Sequence, residues 1–307
     1  MKRFPPRALS QPGACRTARK APWAVLIALG VCWLPAGAAA DSGLGFLRQG
    51  AGARSAALAG AATALSDPSA ASLNPAALAE GRSMVLSHTE WIGGMRHEQA
   101  GALWTGAAGG VVALDARLAH AGGLERRTGP TRDPLGEFGL YEWTAGAAWS
   151  RPWGERLRTG VGAKVVRQSI DVEAASGLAA DLGLLYGAGR WRVGAALRNL
   201  GRMNELHREA TELPLQARLG AAVVRGPLMA SADVGATRGS GASLHLGGEW
   251  RPSPRLVLRT GYATSGTRNP AFGAGVSVHP WRFDYAILPF TDGLGQAHRV
   301  SLVWWGS

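Results

Sequence analysis

The run Tyr141-Glu142-Trp143-Thr144-Ala145-Gly146-Ala147-Ala148-Trp149-Ser150 alternates without a break. Successive side chains of an extended chain point to opposite faces. Tyr141, Trp143, Ala145, Ala147 and Trp149 therefore share one face, apolar and aromatic at both ends, while Glu142, Thr144, Gly146, Ala148 and Ser150 share a polar or small one. A soluble strand turns large apolar side chains into a core. A membrane strand turns its apolar face to lipid and places Trp and Tyr near the two interfaces. From Tyr141 to Trp149 is eight steps, about 27 Å at roughly 3.3 Å each, or about 20 Å of height at a tilt near 40°. That approximates the apolar band of a barrel strand.

The same period recurs along the chain. Trp191, Val193, Ala195 and Leu197 oppose Arg192, Gly194, Ala196 and Arg198; Leu215, Ala217, Leu219, Ala221 and Val223 oppose Gln216, Arg218 and Gly220; Leu178, Ala180, Leu182, Leu184 and Tyr186 oppose Asp181. The pattern predicts strands near 83–91, 97–106, 109–120, 138–150, 156–169, 177–187, 190–199, 214–225, 227–237, 241–251, 255–264, 271–279, 280–288 and 297–305. Fourteen is an even number, as bacterial barrels require.

Connection lengths give an independent reading, because barrels have short periplasmic turns and longer outer loops. With both termini in the periplasm the even connections are the short ones: Ala107-Ala108, Arg151 to Glu155, Ala188-Gly189, Gly226, Pro252 to Pro254 and His279-Pro280. The longest gaps, Ala121 to Glu137 and Leu200 to Leu213, are both odd. Aromatic residues sort the same way. Trp104, Trp149, Tyr186, Trp191, Trp250, Trp281 and Trp304 fall at predicted periplasmic ends, and Trp91, Tyr141, Trp143 and Tyr262 at the other interface. A secreted β-sandwich or propeller would also alternate. Its hidden face would be large and apolar, whereas the face opposite the apolar one here carries Asp115, Arg117, Glu142, Arg158, Lys164, Asp181, Arg192, Arg198 and Arg218. Those charges fit a polar, hydrated lumen. Gly160, Gly162, Gly194 and Gly220 lie on that face too, and either twist relief or close approach of an inserted segment accounts for them.

The first forty residues hold Lys2, Arg3, Arg7, Arg16, Arg19 and Lys20, no acid, an apolar run from Ala21 to Pro35, and Ala38-Ala39-Ala40 before Asp41. This is the pattern of a secretory signal peptide with cleavage expected after Ala40. Val31 ahead of Cys32 argues against a lipoprotein, and Cys15 and Cys32 both leave with the leader, so neither disulfide nor thiolate chemistry is expected. Six of the 33 bases and none of the 21 acids lie in the leader, which lowers the net charge from +12 to +6. Only Lys2, Lys20 and Lys164 are lysines, and no basic cluster is interleaved with aromatics, so a nucleic-acid partner is not expected. No later segment approaches eighteen consecutive apolar residues, and a membrane protein without spanning helices must be a closed barrel.

Between leader and barrel, residues 41–81 read as a plug or hatch. Leu58, Ala61, Ala62 and Leu65 have helical spacing, and Asp67-Pro68 and Asn74-Pro75 look like helix starts, with Asp or Asn as N-cap and Pro at the first helical position. Two or three short helices follow from this. The division is therefore 1–40 signal peptide, 41–81 helical plug and 82–307 transmembrane barrel: an all-β membrane protein, a 14-stranded antiparallel transmembrane β-barrel with a short N-terminal helical plug.

Gly45-Phe46-Leu47-Arg48, Gly52-Ala53-Arg54, Ala59-Gly60-Ala61-Ala62-Thr63-Ala64-Leu65, Asp67 and Leu73-Asn74-Pro75-Ala76-Ala77-Leu78-Ala79, followed by Ser87-His88-Thr89-Glu90-Trp91, resemble the PorV/PorQ family. Asp284-Tyr285-Ala286, Pro289-Phe290 and His298-Arg299-Val300-Ser301-Leu302 look like that family's closing hairpin. The family is similar to FadL-type outer-membrane transporters. The resemblance implies fourteen strands, a hatch inside the barrel, and an Asn-Pro-Ala motif in that hatch, here Asn74-Pro75-Ala76. Asp67, Pro68, Asn74, Pro75 and Ala76 are thus the candidate plug and gating residues. Outer-membrane lipid and the barrel assembly machinery are expected partners, although the chain runs past Trp305 to Gly306 and Ser307 where such barrels resemble one another in ending on an aromatic residue.

No His-Glu-x-x-His or other metal spacing occurs among the scattered histidines, no cofactor is expected, and an enzyme is not expected. The nearest approach to a barrel lipase is Ser87-His88, or His298 with Ser301, whose neighbouring residues must face opposite ways. Three functions remain open. One is passage of a hydrophobic small molecule across the outer membrane. Another, implied by the resemblance, is a type IX secretion accessory that carries secreted client proteins. The third is a structural barrel without transport.

Overall fold

The computed structural model describes residues 44–106, 110–130, 132–206, 209–264, 270–291 and 293–306. The leader, its cleavage point, both cysteines, the Ala107-Ala108 turn and His207 lie outside them. Fourteen strands run β1 Arg82–Glu90, β2 Arg96–Thr105, β3 Val111–Arg126, β4 Gly136–Trp153, β5 Leu157–Ile170, β6 Glu173–Ala188, β7 Trp191–Met203, β8 Gln216–Arg225, β9 Leu228–Thr237, β10 Gly241–Trp250, β11 Leu256–Ala263, β12 Pro270–Val278, β13 Trp281–Pro289 and β14 Gln296–Gly306. Each pairs antiparallel with its sequence neighbours, and β14 pairs with β1 from Arg82 opposite Gly306 to Glu90 opposite His298, which closes the barrel. No open sheet edge is left, as a strand-built membrane crossing demands.

Alternation sets the two faces. Met84, Leu86, Leu114, Val161, Leu182, Leu246 and Phe272 are exposed on the outside, whereas Ser87, Thr144, Asp181, Arg218, Asp233 and Arg299 are buried on the inside. In water this would be an inverted protein. In lipid it is the stable arrangement, because the bilayer solvates the apolar face and the lumen satisfies the polar one. Among the described residues no helix is long and apolar enough to cross a membrane.

The strand number and order agree with the alternation, but several ends do not. β3 continues to Arg126, β4 starts at Gly136, β6 at Glu173, and β7 runs to Met203, followed by a two-residue ladder of Glu205–Leu206 with Glu209–Ala210. The two long gaps are therefore partly sheet, and the β5–β6 connection shrinks to Asp171-Val172. Residues beyond the apolar band face water on both sides, so Gly122-Gly123-Leu124-Glu125-Arg126 can pair without alternating. One side of the barrel is consequently tall: β3 to β7 have 13 to 18 residues, while the other strands have 8 to 11.

Residues 44–81 fill the barrel. Their secondary structure is sparser than the spacing predicts: one α-helical turn, α1, at Ala53–Ala57, and 3-10 turns at Gly45–Arg48, Ala70–Ser72 and Pro75–Ala77. No helix forms over Leu58 to Leu65. Ala59 and Gly60 take positive φ (50° and 86°) and stop α1, and the next residues run as turns whose backbone groups bond the barrel wall. Leu58, Ala61, Ala62 and Leu65 are all buried, so they do not form one face of a surface helix. Asn74 does cap its turn, its side chain accepting from the Ala76 N–H at 3.0 Å with Pro75 in the first position. Asp67 does not cap a helix. It accepts from the Ser69 N–H and hydroxyl at 3.0 and 2.7 Å and so closes a side-chain turn before the 3-10 segment.

Candidate functional site: the filled lumen

Three of the inward charges read from the sequence, Arg117, Arg198 and Arg218, hold the segment in place rather than line open water. Arg117 donates to the Phe46 and Gln49 carbonyls (2.8 and 3.2 Å), Arg198 to Leu47 (3.0 Å) and to the Gln216 side chain (2.7 Å), and Arg218 to Gly60 (2.9 Å). Turn hydrogen bonds within the segment use only some of its backbone groups, and a buried polar group left without a partner costs about 1–3 kcal/mol. The wall supplies them. Lys164 and Asp181 pair at 2.7 Å, Gln168 donates to Glu142 at 2.8 Å and Gln99 to Asp115 at 2.6 Å. Arg158 and Arg192 are set apart at the end where the chain enters, Arg158 against Glu80 at 2.5 Å.

Further wall residues, of which only Arg299 and Ser301 stood in the sequence blocks quoted above, belong to the same set. Asp233 accepts from the Ala62 and Thr63 N–H groups (3.1 and 2.9 Å), Ser231 donates to the Ala61 carbonyl (2.7 Å), and His245 Nδ1 lies 2.7 Å from the Ala59 carbonyl. Arg299 donates to the Gly50 carbonyl (2.7 Å), and Ser301 accepts from Ala53 N–H (2.8 Å).

The most heavily charged contact is a closed ring of six alternating charges. Arg54 on α1 reaches Glu249 on β10 at 2.6 Å; Glu249 meets Arg259 on β11 at 2.9 Å; Arg259 meets Asp284 on β13 at 2.7 Å. Asp284 meets Arg282 at 2.7 Å, Arg282 meets Asp67 at 2.9 Å, and Asp67 returns to Arg54 at 3.3 Å. Three cations and three anions sum to zero, so each buried charge has opposite neighbours on both sides. Burial alone would push the Asp67 carboxyl up, but the Arg282 and Arg54 guanidiniums and the Ser69 hydrogen bonds hold it well below the usual carboxylate range.

Across the lumen the contact is steric. A Cβ on Gly160 would lie 2.2 Å from the Pro75 carbonyl carbon and the Ala76 nitrogen, and one on Gly183 would lie 2.1 Å from Asn74 Oδ1. Gly194 is as tight against the Thr63 carbonyl at 2.4 Å, and Gly220 would meet Asp233 at 2.2 Å and Thr63 at 3.0 Å. Gly162 shows only ordinary contact. For Gly160, Gly194 and Gly220 close approach is therefore the operating cause. Asn74 locks the same place, donating to the Thr63 and Leu184 carbonyls at 2.8 and 3.1 Å. Pro68 sits between Asp67 and Ser69, in the turn that delivers Asp67 to the ring.

The aromatics divide as follows. Trp104, Trp149, Trp191, Trp250 and Trp281 are exposed on the outer face at the end that carries Arg82 and Gly306, with Tyr186 and Trp304 beside them, and Tyr141, Trp143 and Tyr262 are exposed towards the opposite end. Trp91 departs from the interface role expected of it. It stacks on His97 at 5.3 Å and meets Phe290 edge-on at 5.2 Å, packing over the barrel mouth, because it follows the last residue of β1 and is free to fold inward. Ser87 and Ser301 contact each other inside the wall at 2.9 Å, while His88 and His298 face out towards Glu98 and Tyr285, so neither Ser87 with His88 nor Ser301 with His298 forms a pair. Among the described residues no cluster of three metal-ligating side chains occurs.

The barrel has counterparts among solved structures. The P. putida toluene transporter TodX superposes with a TM-score of 0.63 at 13% identity, over 84% of this chain and 99% of that one. The CymD monoaromatic hydrocarbon channel gives 0.62 at 12%, over 83% and 96%. A Pseudomonas aeruginosa FadL homologue gives 0.60 at 12%, over 82% and 97%. At such identities the likeness is one of fold. No protein-family model matches the chain, and no curated protein does; the PorV/PorQ resemblance rests on the sequence blocks alone. Fold and lumen together define a class, the 14-stranded transmembrane β-barrel filled by its own N-terminal segment.

Proposed function

We propose that this chain is an outer-membrane protein, with both ends of the barrel sequence on the periplasmic side, which passes hydrophobic small molecules, and that residues 44–81 gate the path. The observation that carries the reading is the filled lumen. The cavity beside Gly60, Arg218 and His245 measures about 60 Å³, room for a few water molecules. A hydrocarbon can pass only if the segment shifts. The shared fold with proteins described as toluene and monoaromatic hydrocarbon channels supports the substrate class. Outer-membrane lipid and the assembly machinery are its partners on this reading.

The test is to pin the segment. Ala61 and Ser231 touch through a 2.7 Å hydrogen bond, so cysteines at both positions would tether segment to wall. Uptake of a labelled monoaromatic hydrocarbon by proteoliposomes is expected to stop on oxidation and return on reduction. Uptake indifferent to the tether would overturn the gate. A protein-export accessory would instead retain a secreted client on purification, and a structural barrel would show neither uptake nor client.

A further inference from the structure

The two ends of the barrel handle charge differently. At the end of the long connections four arginines meet acids, Arg126 bonding Asp171, Arg127 meeting Glu125 at 2.7 Å, Arg96 Glu90 at 3.2 Å and Arg238 Glu212 at 3.6 Å, while Arg167 bonds the Ser176 hydroxyl at 3.1 Å. At the end that carries Arg82 and Gly306, Arg158 meets Glu80 and Arg251 meets Glu249 at 3.7 Å, but the short turns and strand ends also present Arg151, Arg156, Arg190, Arg225 and Arg255, all exposed, with Glu155 beside Arg156. Among the described residues none of these five has a carboxylate within ion-pair distance. Arg151 lies over the Trp153 ring at 4.5 Å and Arg190 over Trp191 at 5.8 Å, which fixes the collar at the depth of the aromatic girdle. Trp rings at a girdle sit at headgroup level.

Directly beside the collar, on the outer face, runs an apolar trough of about 490 Å³ between β8 and β11. Its floor is Ala230, Gly248 and Thr260, its walls are Leu228, Trp250 and Leu258, and Arg225 stands at its mouth. A floor of small residues beside an unmatched cation has the shape and charge of a lipid: an acyl chain below, a phosphate above.

We propose that this collar and trough bind anionic phospholipid of the adjoining leaflet, with the headgroup phosphate on Arg225 and the adjacent Arg190, whose carbonyl accepts from Val224 N–H, Arg255 adding positive charge at the same end of the far wall, and one acyl chain along Ala230 and Gly248. The orientation rests on the reading given under Proposed function, but binding is measured without any transport. The full-length mature chain in neutral detergent, titrated with dioleoyl phosphatidylglycerol or dioleoyl phosphatidylcholine and observed by native mass spectrometry, is expected to retain the anionic lipid preferentially. Each basic residue near a membrane surface contributes about fivefold. Arg190→Gln, Arg225→Gln and Arg255→Gln together should remove the preference, whereas the three matching lysine substitutions keep it. Arg127→Gln with Arg238→Gln, at the other end, should leave it unchanged. Gly248→Leu fills the trough, where a Cβ meets nothing closer than 3.9 Å, and should weaken retention with the collar charge intact; heat-modifiable migration confirms that each variant is folded. Equal retention of both lipids by the wild-type chain, or an unchanged preference in the glutamine variant, overturns the proposal. So does retention of soluble polyglutamate without lipid preference, which would make the collar a docking site for an acidic protein.

Discussion

The plug is held on one side by charge and on the other by shape. Around Arg54 and Asp67 the wall offers Glu249, Arg259, Arg282 and Asp284 in a ring of alternating sign; around Asn74-Pro75-Ala76 it offers Gly160 and Gly183, with no charge and no room. The two attachments differ in what opens them. Ion pairs can exchange protein partners for water as a segment moves, so the ring is a contact that can break and re-form. A backbone seated against glycine has one fitting position, and any displacement creates a void. On the proposed reading, the segment would pivot about Asn74 and release at Arg54.

The largest effect should come from breaking the ring at its most connected member. Glu249→Ala leaves Arg54 and Arg259 buried beside the vacated site, a change that typically costs about 3–5 kcal/mol. Limited proteolysis within residues 44–81 should then speed up sharply while the barrel keeps its heat-modifiable migration. Equal protection of variant and wild type would show that the ring does not hold the segment.

Next is the steric seat. Gly183→Val drives a side chain into Asn74 and Ala76 and should cost about 1–3 kcal/mol. The comparison predicts the opposite dynamics at the ring. Hydrogen exchange near Asn74 should rise strongly in this variant while the Arg54 region stays protected. Loss of protection over the whole segment at once would mean that it is a single rigid body without a pivot.

A smaller effect is expected of Asn74→Ala, which removes one cap, worth about 1 kcal/mol, and leaves the Thr63 carbonyl without that donor. Thermal unfolding of the plug signal should shift down modestly, and Asn74→Asp should recover the cap to Ala76 but not the bonds to Thr63 and Leu184.

The least is expected from acid. Asp67 is held below its ordinary value, so its contribution is fully present above about pH 4 and is lost as the pH falls through the lowered value. Protection around Arg54 and Asp67 should therefore be flat from pH 8 to pH 5 and fall only in stronger acid. A transition near pH 6 would place the controlling group elsewhere.

Much of the barrel could be read from its sequence, since each strand carries its own period of two and its own aromatic ends. Fourteen strands, their order and their short turns all follow from local information. The strand tips did not, because Gly122 to Arg126 and Glu173 to Ser176 lie where both faces meet water and alternation has no physical cause. The inward faces of Arg117, Arg198 and Arg218 were legible as polar, but not their use, since a charge facing a lumen looks alike whether it meets water or a carbonyl. Glu249 and Arg259 went unmarked, and Arg54 and Asp284 stood out only within the family resemblance, for a similar reason. Their pairing joins positions as far apart as 54 and 249 in the chain, and only barrel closure brings them together. The helix expected over Leu58 to Leu65 failed because its hydrogen-bond partners come from Arg218, Ser231, Asp233 and His245 rather than from its own backbone.

The seam between β1 and β14 also holds plug ligands. Arg299 of β14 donates at once to Thr89 of β1 (2.7 Å) and to the Gly50 carbonyl (2.7 Å), and Ser301 joins Ser87 to the Ala53 N–H. The pairing that closes the cylinder thus shares its side chains with the segment inside it. The N-terminal residues act as a mandrel around which the first and last strands meet, so a chain whose segment is missing would have to find its closing register without the template that aligns its two ends.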